Sequence, residues 1–233
     1  MRTIRSVLVI LLLGPVAGLW AQERRPVSEV SVDALMADTQ RTNSDHDFAL
    51  AWWIPPEFWQ ISLTQDGTLN PAAVAQVVDA FHGTSILGVV QASVSPFGAF
   101  TFFDKEQVLD GLTVSYRREG DSSSRLQVVR SPDPNLELLL IQMAPVLTAA
   151  MGNMGENFHF IVFDDTDEAG QRIVSPYESG EIRAELSWRG SAPTELAVEL
   201  PLDSLFVPRI CPNGKPAHVS WNYCPWDGTA LDR

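Results

Sequence analysis

Residues 181–188 read Glu-Ile-Arg-Ala-Glu-Leu-Ser-Trp, and their pattern indicates the fold class. Apolar side chains stand at Ile182, Ala184, Leu186 and Trp188, with polar side chains between them. Because successive side chains of a strand point to opposite faces, this alternation predicts a β-strand with one face in the core and one face in water. Strands of this kind are typical of antiparallel sheets.

Other β-rich segments, bounded by turn residues, lie on both sides of this strand. The polar turns at 96–98 and 119–124 each predict a hairpin. We also expect two strands within residues 48–63, separated by Pro55 and Pro56. The remaining predicted strands are 85–95, 99–103, 112–117, 125–130, 158–163, 171–174 and 194–200.

Two main helices are predicted from their first residues. Asn70 can cap a helix that has Pro71 in its first position, and this helix extends to Gly83. Asp133 and Pro134 mark the start of a longer helix over residues 135–151 in the same way. The longer helix has almost no polar face, so we expect it to be buried on most sides or to pack across the sheet.

This order of elements predicts an α+β fold with a mostly antiparallel sheet and helices on one face. A β-sandwich with inserted helices is the alternative. With 45% hydrophobic residues, the chain can bury a substantial core. We assign residues 48–205 to this α+β domain, and residues 206–233 to a small appended module.

The first 21 residues have the features of a secretory signal peptide. Residues 1–5 are basic, residues 7–20 are apolar, and Ala21 offers a small residue for cleavage before Gln22. About fifteen apolar residues, interrupted by Gly and Pro, fall short of the roughly twenty that a membrane-spanning helix needs. We therefore predict a periplasmic or secreted protein without stable membrane insertion.

The charge of the chain limits its partners. The formal net charge is −13, which argues against binding to nucleic acid or to anionic membranes. Residues 22–47 are polar and irregular, and we expect them to form an exposed N-terminal arm. Asp45, His46 and Asp47 are adjacent in this arm, but side chains that alternate in direction cannot all reach one metal ion.

Three tryptophans lie within eight residues of one another, at Trp52, Trp53 and Trp59. If they were exposed, they could form a stacking platform for a sugar or a peptide. Tryptophan is highly buried on average, so we predict that these side chains belong to the core.

Residues 211–231 contain both cysteines of the chain and repeat a Cys-Pro-x-x turn. The turns that begin at Cys211 and Cys224 resemble the knuckles of a zinc ribbon, in which two Cys-Pro-x-Cys-Gly turns hold zinc with four thiolates. In this chain Gly214 and Asp227 stand where the second thiolate of each knuckle would be. His218 and Asp227 could in principle complete a Cys₂-His-Asp site.

For the two cysteines we expect a Cys211–Cys224 disulfide. An exported chain enters an oxidising compartment, and a ribbon-like hairpin brings its knuckle cysteines to the Cα separation of about 5.5–6 Å that a disulfide requires. We expect no cofactor. Zinc bound by Cys211, His218, Cys224 and Asp227 is the alternative.

The sequence contains no Gly-x-Ser-x-Gly, His-Glu-x-x-His, phosphate-loop or Gly-x-Gly-x-x-Gly motif. We therefore favour an exported, non-catalytic protein that binds a protein partner or a small-molecule ligand. One alternative is a hydrolase with a dispersed site, whose candidate residues are His82, His159, Asp164 and Asp165. The other is a metal-handling protein that uses the terminal module or the Met-rich stretch at 151–155.

Residues 164–170 partly match a calcium-binding loop, but Ala169 stands where an oxygen ligand is expected. We interpret the segment as a hairpin turn whose carboxylates face water.

Overall fold

The structure is a computed structural model that describes residues 22–44, 47–188 and 192–231. The expected signal peptide lies outside the described residues, as do Asp45 and His46. Within the described ranges, the α-helices are α1 Val32–Thr39, α2 Pro56–Asp66, α3 Pro71–Asp79, α4 Lys105–Gly111, α5 Pro134–Met151 and α6 Asn153–Glu156. Short 3-10 helices lie at Val27–Glu29 and Asp203–Leu205.

The strands over the same ranges are β1 Gln40–Asn43, β2 Phe48–Ile54, β3 Thr84–Val94, β4 Phe100–Phe102, β5 Leu112–Arg118, β6 Ser124–Arg125, β7 Gln127–Val128, β8 His159–Asp164, β9 Gly180–Leu186, β10 Thr194–Leu200, β11 Arg209–Ile210 and β12 Pro216–Ala217. The larger sheet has the order β1-β2-β3-β8-β7, with β4 also paired to β3. The second sheet has the order β10-β9-β5-β6, and β11 pairs with β12. These pairings are antiparallel, and the α+β class is confirmed.

Strand β9 has the expected alternation of buried and exposed faces. Ile182 lies opposite Tyr116 of β5 and Val198 of β10, and all three side chains are buried. On the opposite face Arg183 forms ion pairs with Glu181 at 2.8 Å and with Glu195 at 2.9 Å. Both sheets contribute side chains to one hydrophobic core.

The tryptophans of residues 52–59 belong to this core, as predicted. Trp52, Trp53 and Trp59 are 7%, 2% and 7% exposed. The indole N–H of Trp53 donates to the hydroxyl of Ser85 at 2.7 Å, and that of Trp52 donates to Thr39 at 3.2 Å. Burial of both indoles is therefore compatible with their need for a hydrogen-bond acceptor.

The predicted helix starts are confirmed, since α3 and α5 begin at Pro71 and Pro134 behind their caps Asn70 and Asp133. The prediction of a second strand within residues 48–63 is wrong, because α2 begins at Pro56. A proline interrupts a strand, but it also fits the first turn of a helix, where its missing N–H has no cost.

Residues 112–130 form a shorter hairpin than the sequence predicts. Strand β6 ends at Arg125, and β7 then leaves this sheet to pair with β8 in the larger sheet. The chain passes from one sheet to the other at Leu126, which is buried. The predicted strand at 171–174 is also wrong, because that segment contributes one isolated bridge between Arg172 and Thr166.

Helix α5 is exposed on one side, which contradicts the expectation of burial on most sides. Its buried residues are Leu136, Leu140 and Leu147. Leu138 and Ile141 are 54% and 61% exposed. The helix packs on the body of the protein through one face, so its apolar composition does not lead to burial of the other. By length and composition, α5 is the one helix within the described residues that could cross a membrane.

Residues 22–44 do not form the exposed arm that their polarity suggests. Val30, Leu35 and Thr39 are buried, and β1 extends the larger sheet at the edge of β2. The backbone N–H of Arg25 donates to the carbonyl of Leu205 at 2.8 Å, which connects the segment to the last residue assigned to the α+β domain. A few buried side chains and one edge strand thus integrate a mostly polar segment.

Candidate functional site

A cavity of about 550 Å³ opens between α2 and α3, and we call it the α2–α3 cavity. One part of its wall is polar and includes His82, Thr84, Thr166 and Arg172. The rest is mainly apolar, with side chains from Pro56, Leu69, Pro71, Val74, Val78 and Phe81. A large apolar cavity with a few polar groups is the usual form of a small-molecule site.

Local sequence explains why the two helices form this wall. Gly67 ends α2 in a left-handed conformation with φ of 69°, and Asn70 begins α3 by accepting a hydrogen bond from the N–H of Ala73 at 3.0 Å. The short connection sets the helices side by side. Phe81 is 1% exposed and stacks on Trp59 of α2, with 4.8 Å between the ring centroids. The floor of the cavity is therefore continuous with the core.

Besides the acidic Asp79, the wall of the cavity contains the basic residue Arg172. Its Nη1 donates to Oε1 of Glu57 at 2.8 Å, and its Nε lies 3.5 Å from Oδ2 of Asp165. The side chain of Arg172 is 31% exposed, whereas those of Glu57 and Asp165 are 13% and 0% exposed. A cation at the cavity is thus held between two largely buried carboxylates.

Asp165 is fixed by the backbone around it. Its Oδ1 accepts from the N–H of Val174 at 2.8 Å, and its own N–H donates to the carbonyl of Gly83 at 3.0 Å. Burial raises the pKa of Asp165, and the Val174 N–H and the Arg172 guanidinium oppose that rise. Asp165 therefore favours its neutral form more than an exposed aspartate does.

Several polar atoms of this cluster have no hydrogen-bond partner although they are buried. They are Oδ2 of Asp165, Oε2 of Glu57 and Nη2 of Arg172. Of these three residues Arg172 lines the cavity, whereas Glu57 and Asp165 do not, so a bound molecule would meet the cluster through the Arg172 side chain.

The structure separates the residues of the hydrolase alternative. Asp164 lies opposite Thr84 in the ladder between β3 and β8, which brings the Asp164-Asp165 pair and His82 to the same end of the sheet. His159 lies at the other end of β8, opposite Val89, and its Nε2 is 2.9 Å from the carbonyl of Phe103. Across the described ranges, no histidine is hydrogen-bonded to a carboxylate.

The acidic loop at residues 164–170 is a turn, as expected, but one of its carboxylates is not in water. Asp164 accepts from the N–H of Thr166 at 3.0 Å, and Asp167 accepts from the N–H of Ala169 at 2.9 Å. Asp165 is 0% exposed, so the expectation that the carboxylates face water is wrong for this residue. Its buried position is set by the bond to Gly83, which sequence does not reveal.

Glu57 and Arg172 are the site residues that the sequence did not indicate. They are 115 positions apart and belong to no motif. A paired charge of this kind leaves no pattern in the local sequence.

The two Cys-Pro turns of the terminal module have similar but unequal geometry. The N–H of Cys211 donates to the carbonyl of Lys215, and the N–H of Cys224 donates to that of Thr229, both at 2.8 Å. The second turn is one residue longer. Gly214 and Gly228 have φ of 79° and 76°, a conformation that favours glycine.

The cysteines of these turns are buried free thiols. They form a small core together with Ala217 and Leu231. The thiols lie near each other but not at the distance of a disulfide bond. The pKa of Cys211 is raised to about 11, mainly by burial and to a lesser extent by the neighbouring Cys224 thiol.

Of the other two candidate zinc ligands, Asp227 interacts with Cys224, whereas His218 has a different partner. Asp227 accepts a hydrogen bond from the N–H of Thr229 at 2.9 Å. The pKa of Asp227 is lowered mainly by this hydrogen bond and to a lesser extent by the Cys224 thiol. Nδ1 of His218 lies 2.8 Å from the hydroxyl of Ser220. In the part of the chain that the structure describes, no group of three or more His, Cys, Asp or Glu side chains is placed to hold a metal ion.

Comparisons with known proteins show little. No family model matches the chain, and no curated protein matches it. A solved structure of a DUF4426 family protein from Pseudomonas aeruginosa matches with 8% identity and a TM-score of 0.32, and the match covers 70% of this chain and 93% of that chain.

Proposed function

We propose that this is an exported, non-catalytic protein that binds a small, mainly apolar molecule in the α2–α3 cavity. The observation that carries the proposal is the cavity itself: about 550 Å³ of space with a mainly apolar wall and a few polar groups. This volume is within the range of cavities that hold small ligands.

The chemistry of the polar groups favours binding over catalysis. The hydroxyl of Thr84 donates to the carbonyl of Phe81 at 2.9 Å, and that of Thr166 donates to Asp164 at 2.6 Å. The acceptor of Thr84 is a backbone carbonyl, which is not a base, and the Asp164 oxygen that accepts from the Thr166 hydroxyl also accepts from the Thr166 N–H, as in a turn. Neither arrangement pairs a hydroxyl with a base that a third group orients, as an activated nucleophile requires.

The same groups favour a neutral polar end on the ligand. The charge of Arg172 is offset by Glu57 and by Asp165, so the cavity offers little net attraction to an anion. The neutral polar groups of the wall include His82, Thr84 and Thr166, whose side chains can act as donors and as acceptors. An alcohol or an amide can use both kinds of group, because each contains a donor and an acceptor.

A binding experiment with an apolar fluorescent probe tests the proposal. We expect N-phenyl-naphthylamine to bind with one saturable site and to be displaced more effectively by decanol than by decanoate. Val78→Trp should weaken binding at least tenfold, because the larger side chain fills the cavity that Val78 lines. Val207→Trp is the matched control, since Val207 is 38% exposed and lies outside the cavity lining.

Two results would count against this function. One is the absence of saturable probe binding to the folded protein. The other is equal weakening by Val78→Trp and Val207→Trp, which would place the probe elsewhere on the surface.

The export proposal rests on the basic and apolar features of residues 1–21. Intact-mass measurement of the protein recovered from an expressing cell should give a chain that begins near Gln22. A product that retains Met1 and sediments with membranes would contradict export with cleavage.

In an oxidising compartment we also expect the neighbouring thiols of Cys211 and Cys224 to form the disulfide. A bond across a loop of this size should stabilise the protein by about 3 kcal/mol in the chain-entropy model. Thiol titration of the denatured protein, with and without reductant, should give two thiols only after reduction. Two thiols before reduction would contradict the bridge, and so would one equivalent of bound zinc.

A further inference from the structure

The exposed side of helix α5 forms a mainly apolar surface, which we call the α5 face. Leu138, Ile141 and Val146 on it are 54%, 61% and 57% exposed. Pro145 and Ala149 are also exposed, and they lie on the side of the helix away from the buried Leu136, Leu140 and Leu147. From Leu138 to Ala149 the surface is about 17 Å long, at 1.5 Å per residue.

The α5 face differs from the rest of this acidic protein in its charge. The net charge of the chain is −13, yet Glu137 is the one charged residue of α5. Contact between two copies through most other surfaces would oppose like charges, whereas contact through the α5 face would not. An apolar face of this kind on a soluble domain commonly marks an interaction surface.

Charged residues of both signs lie beside the helix. A groove of about 390 Å³ separates α5 from α4 and β8, and its lining includes Lys105, Glu106, Arg130 and Glu137. A surface that contacts its own copy must be complementary to itself, so it needs both signs of charge or none. The α5 face and its edges meet this condition, with an apolar centre and a mixed polar rim.

The order of residues along α5 is also complementary to itself. If two α5 helices pack antiparallel about a two-fold axis midway between Met143 and Ala144, position 138 of one copy faces position 149 of the other. In that register Leu138 faces Ala149, so a large side chain meets a smaller one. Ile141 and Val146 lie about 140° apart around the helix, so each packs beside its own counterpart, Ile141 on one side of the axis and Val146 on the other. Packing of large against small side chains is what close helix contact requires.

One polar pair fits the same register. Gln142 of one copy faces Pro145 of the other, and Pro145 has no N–H to donate to the carbonyl of Ile141. The side-chain amide of Gln142 can donate to that carbonyl across the axis. The polar side chain of the α5 face thus has a partner in the paired helix.

We infer that the α5 face is an interface between two copies of this chain, which pair as antiparallel helices about a two-fold axis. One helix contact is smaller than the roughly 800 Å² per partner of a standard interface. The dimer is therefore weak and depends on concentration. A bilayer is the less favoured occupant, because Leu136, Leu140 and Leu147 hold α5 on the body of the protein.

Sedimentation velocity of the purified chain, from low micromolar to near millimolar concentration, tests the inference. We expect a reversible monomer–dimer equilibrium. Ile141→Glu should weaken it at least tenfold, because it would bury a charge in the apolar centre of the interface. Ile210→Glu is the matched control, since Ile210 is 58% exposed on β11, and it should leave the equilibrium unchanged.

A pair of charge variants tests the register. Leu138→Glu and Ala149→Lys should each weaken the dimer at least tenfold, and the double variant should regain most of the affinity. Within one helix these positions are eleven residues apart, too far to pair with each other, so recovery requires contact between copies. Circular dichroism and thermal melting establish that each variant is folded.

Three results would overturn the inference. The first is a monomer at every concentration. The second is equal weakening by Ile141→Glu and Ile210→Glu, or no recovery in the double variant. The third is a monomer that pellets with phosphatidylcholine vesicles unless Ile141 is replaced by Glu, which would make a membrane the occupant.

Discussion

Strand β3 and helix α5 are both almost free of charged residues, yet the protein buries them very differently. In β3, eight of eleven residues are buried. In α5, three of eighteen are. Apolar composition is therefore a poor guide to how far an element of this protein is covered.

The difference comes from the number of neighbours that each element has. Strand β3 lies between β2 and β8, and the side chains of its two faces are both covered. A helix at the surface covers one stripe against the core, and whatever lies on the other side meets solvent or a partner. A central strand therefore buries its apolar residues within the fold, whereas α5 keeps several apolar residues exposed, where another molecule can contact them.

The largest expected effect lies at the centre of the larger sheet. Trp53→Ala should destabilise the fold by about 3–5 kcal/mol, because it removes a buried indole opposite Leu87 of β3 and leaves Ser85 without its donor. Trp226→Ala, at a position 48% exposed, should change stability by less than about 0.5 kcal/mol. Urea denaturation of both variants measures the difference, and similar losses would mean that burial does not separate them.

A matched pair on α5 tests the two sides of one helix. Leu136→Ala should cost about 2–4 kcal/mol, since Leu136 is 0% exposed. Leu138→Ala, two residues on, should cost less than about 0.5 kcal/mol when measured at a concentration where the protein is monomeric. The same residue type and helix propensity are involved, so urea denaturation reports burial alone. Equal losses would show that the α5 face is covered in the monomer.

Features that depend on neighbouring residues were predicted well from the sequence. The alternation of 181–188 identifies β9, and Asn70 and Asp133 each cap the helix that follows them. Caps and alternation act over a few residues, so the sequence contains all the information that they need. The burial of the three tryptophans followed from their size and apolar character.

Features that depend on distant parts of the chain were not predicted. The Glu57–Arg172 pair joins residues 115 positions apart, and the burial of Asp165 depends on the register that sets Thr84 opposite Asp164. The exposure of α5 was not predicted, because the composition of a helix does not show how many other elements pack against it. Residues 22–44 were expected to be exposed because they are mostly polar, but a few of their side chains are buried and hold the segment on the domain.

A smaller effect is expected where β3 is packed most tightly. A Cβ at Gly88 would lie 2.0 Å from the ring of Phe158, which is itself buried. Gly88→Ala should therefore destabilise the fold by about 1–3 kcal/mol, the usual cost of overpacking. Ala149→Leu on the α5 face adds more volume, but into solvent, and should cost less than about 0.5 kcal/mol in the monomer. Thermal denaturation compares the two, and a neutral Gly88→Ala would show that Phe158 can move aside.

The smallest expected effect concerns a polar side chain that is as well buried as those of β3. Burial raises the pKa of Asp165 above its unfolded value of about 3.9, so the folded protein binds the proton more tightly than the unfolded chain does. As the pH rises from the unfolded pKa through the folded one, the unfolded chain loses its proton first, and this group lowers the stability of the wild-type protein. Asp165→Asn does not titrate, so its stability relative to wild type should improve over that window, by about 1.4 kcal/mol for each unit by which the pKa is raised.

Ser85→Ala is the control, because it alters a buried polar residue that does not ionise, and its difference from wild type should be independent of pH. Urea denaturation of the three proteins between pH 4 and pH 8 measures both differences, and a stability difference for Asp165→Asn that stays flat, or that falls as the pH rises, would show that Arg172 and Val174 outweigh the burial of this carboxyl.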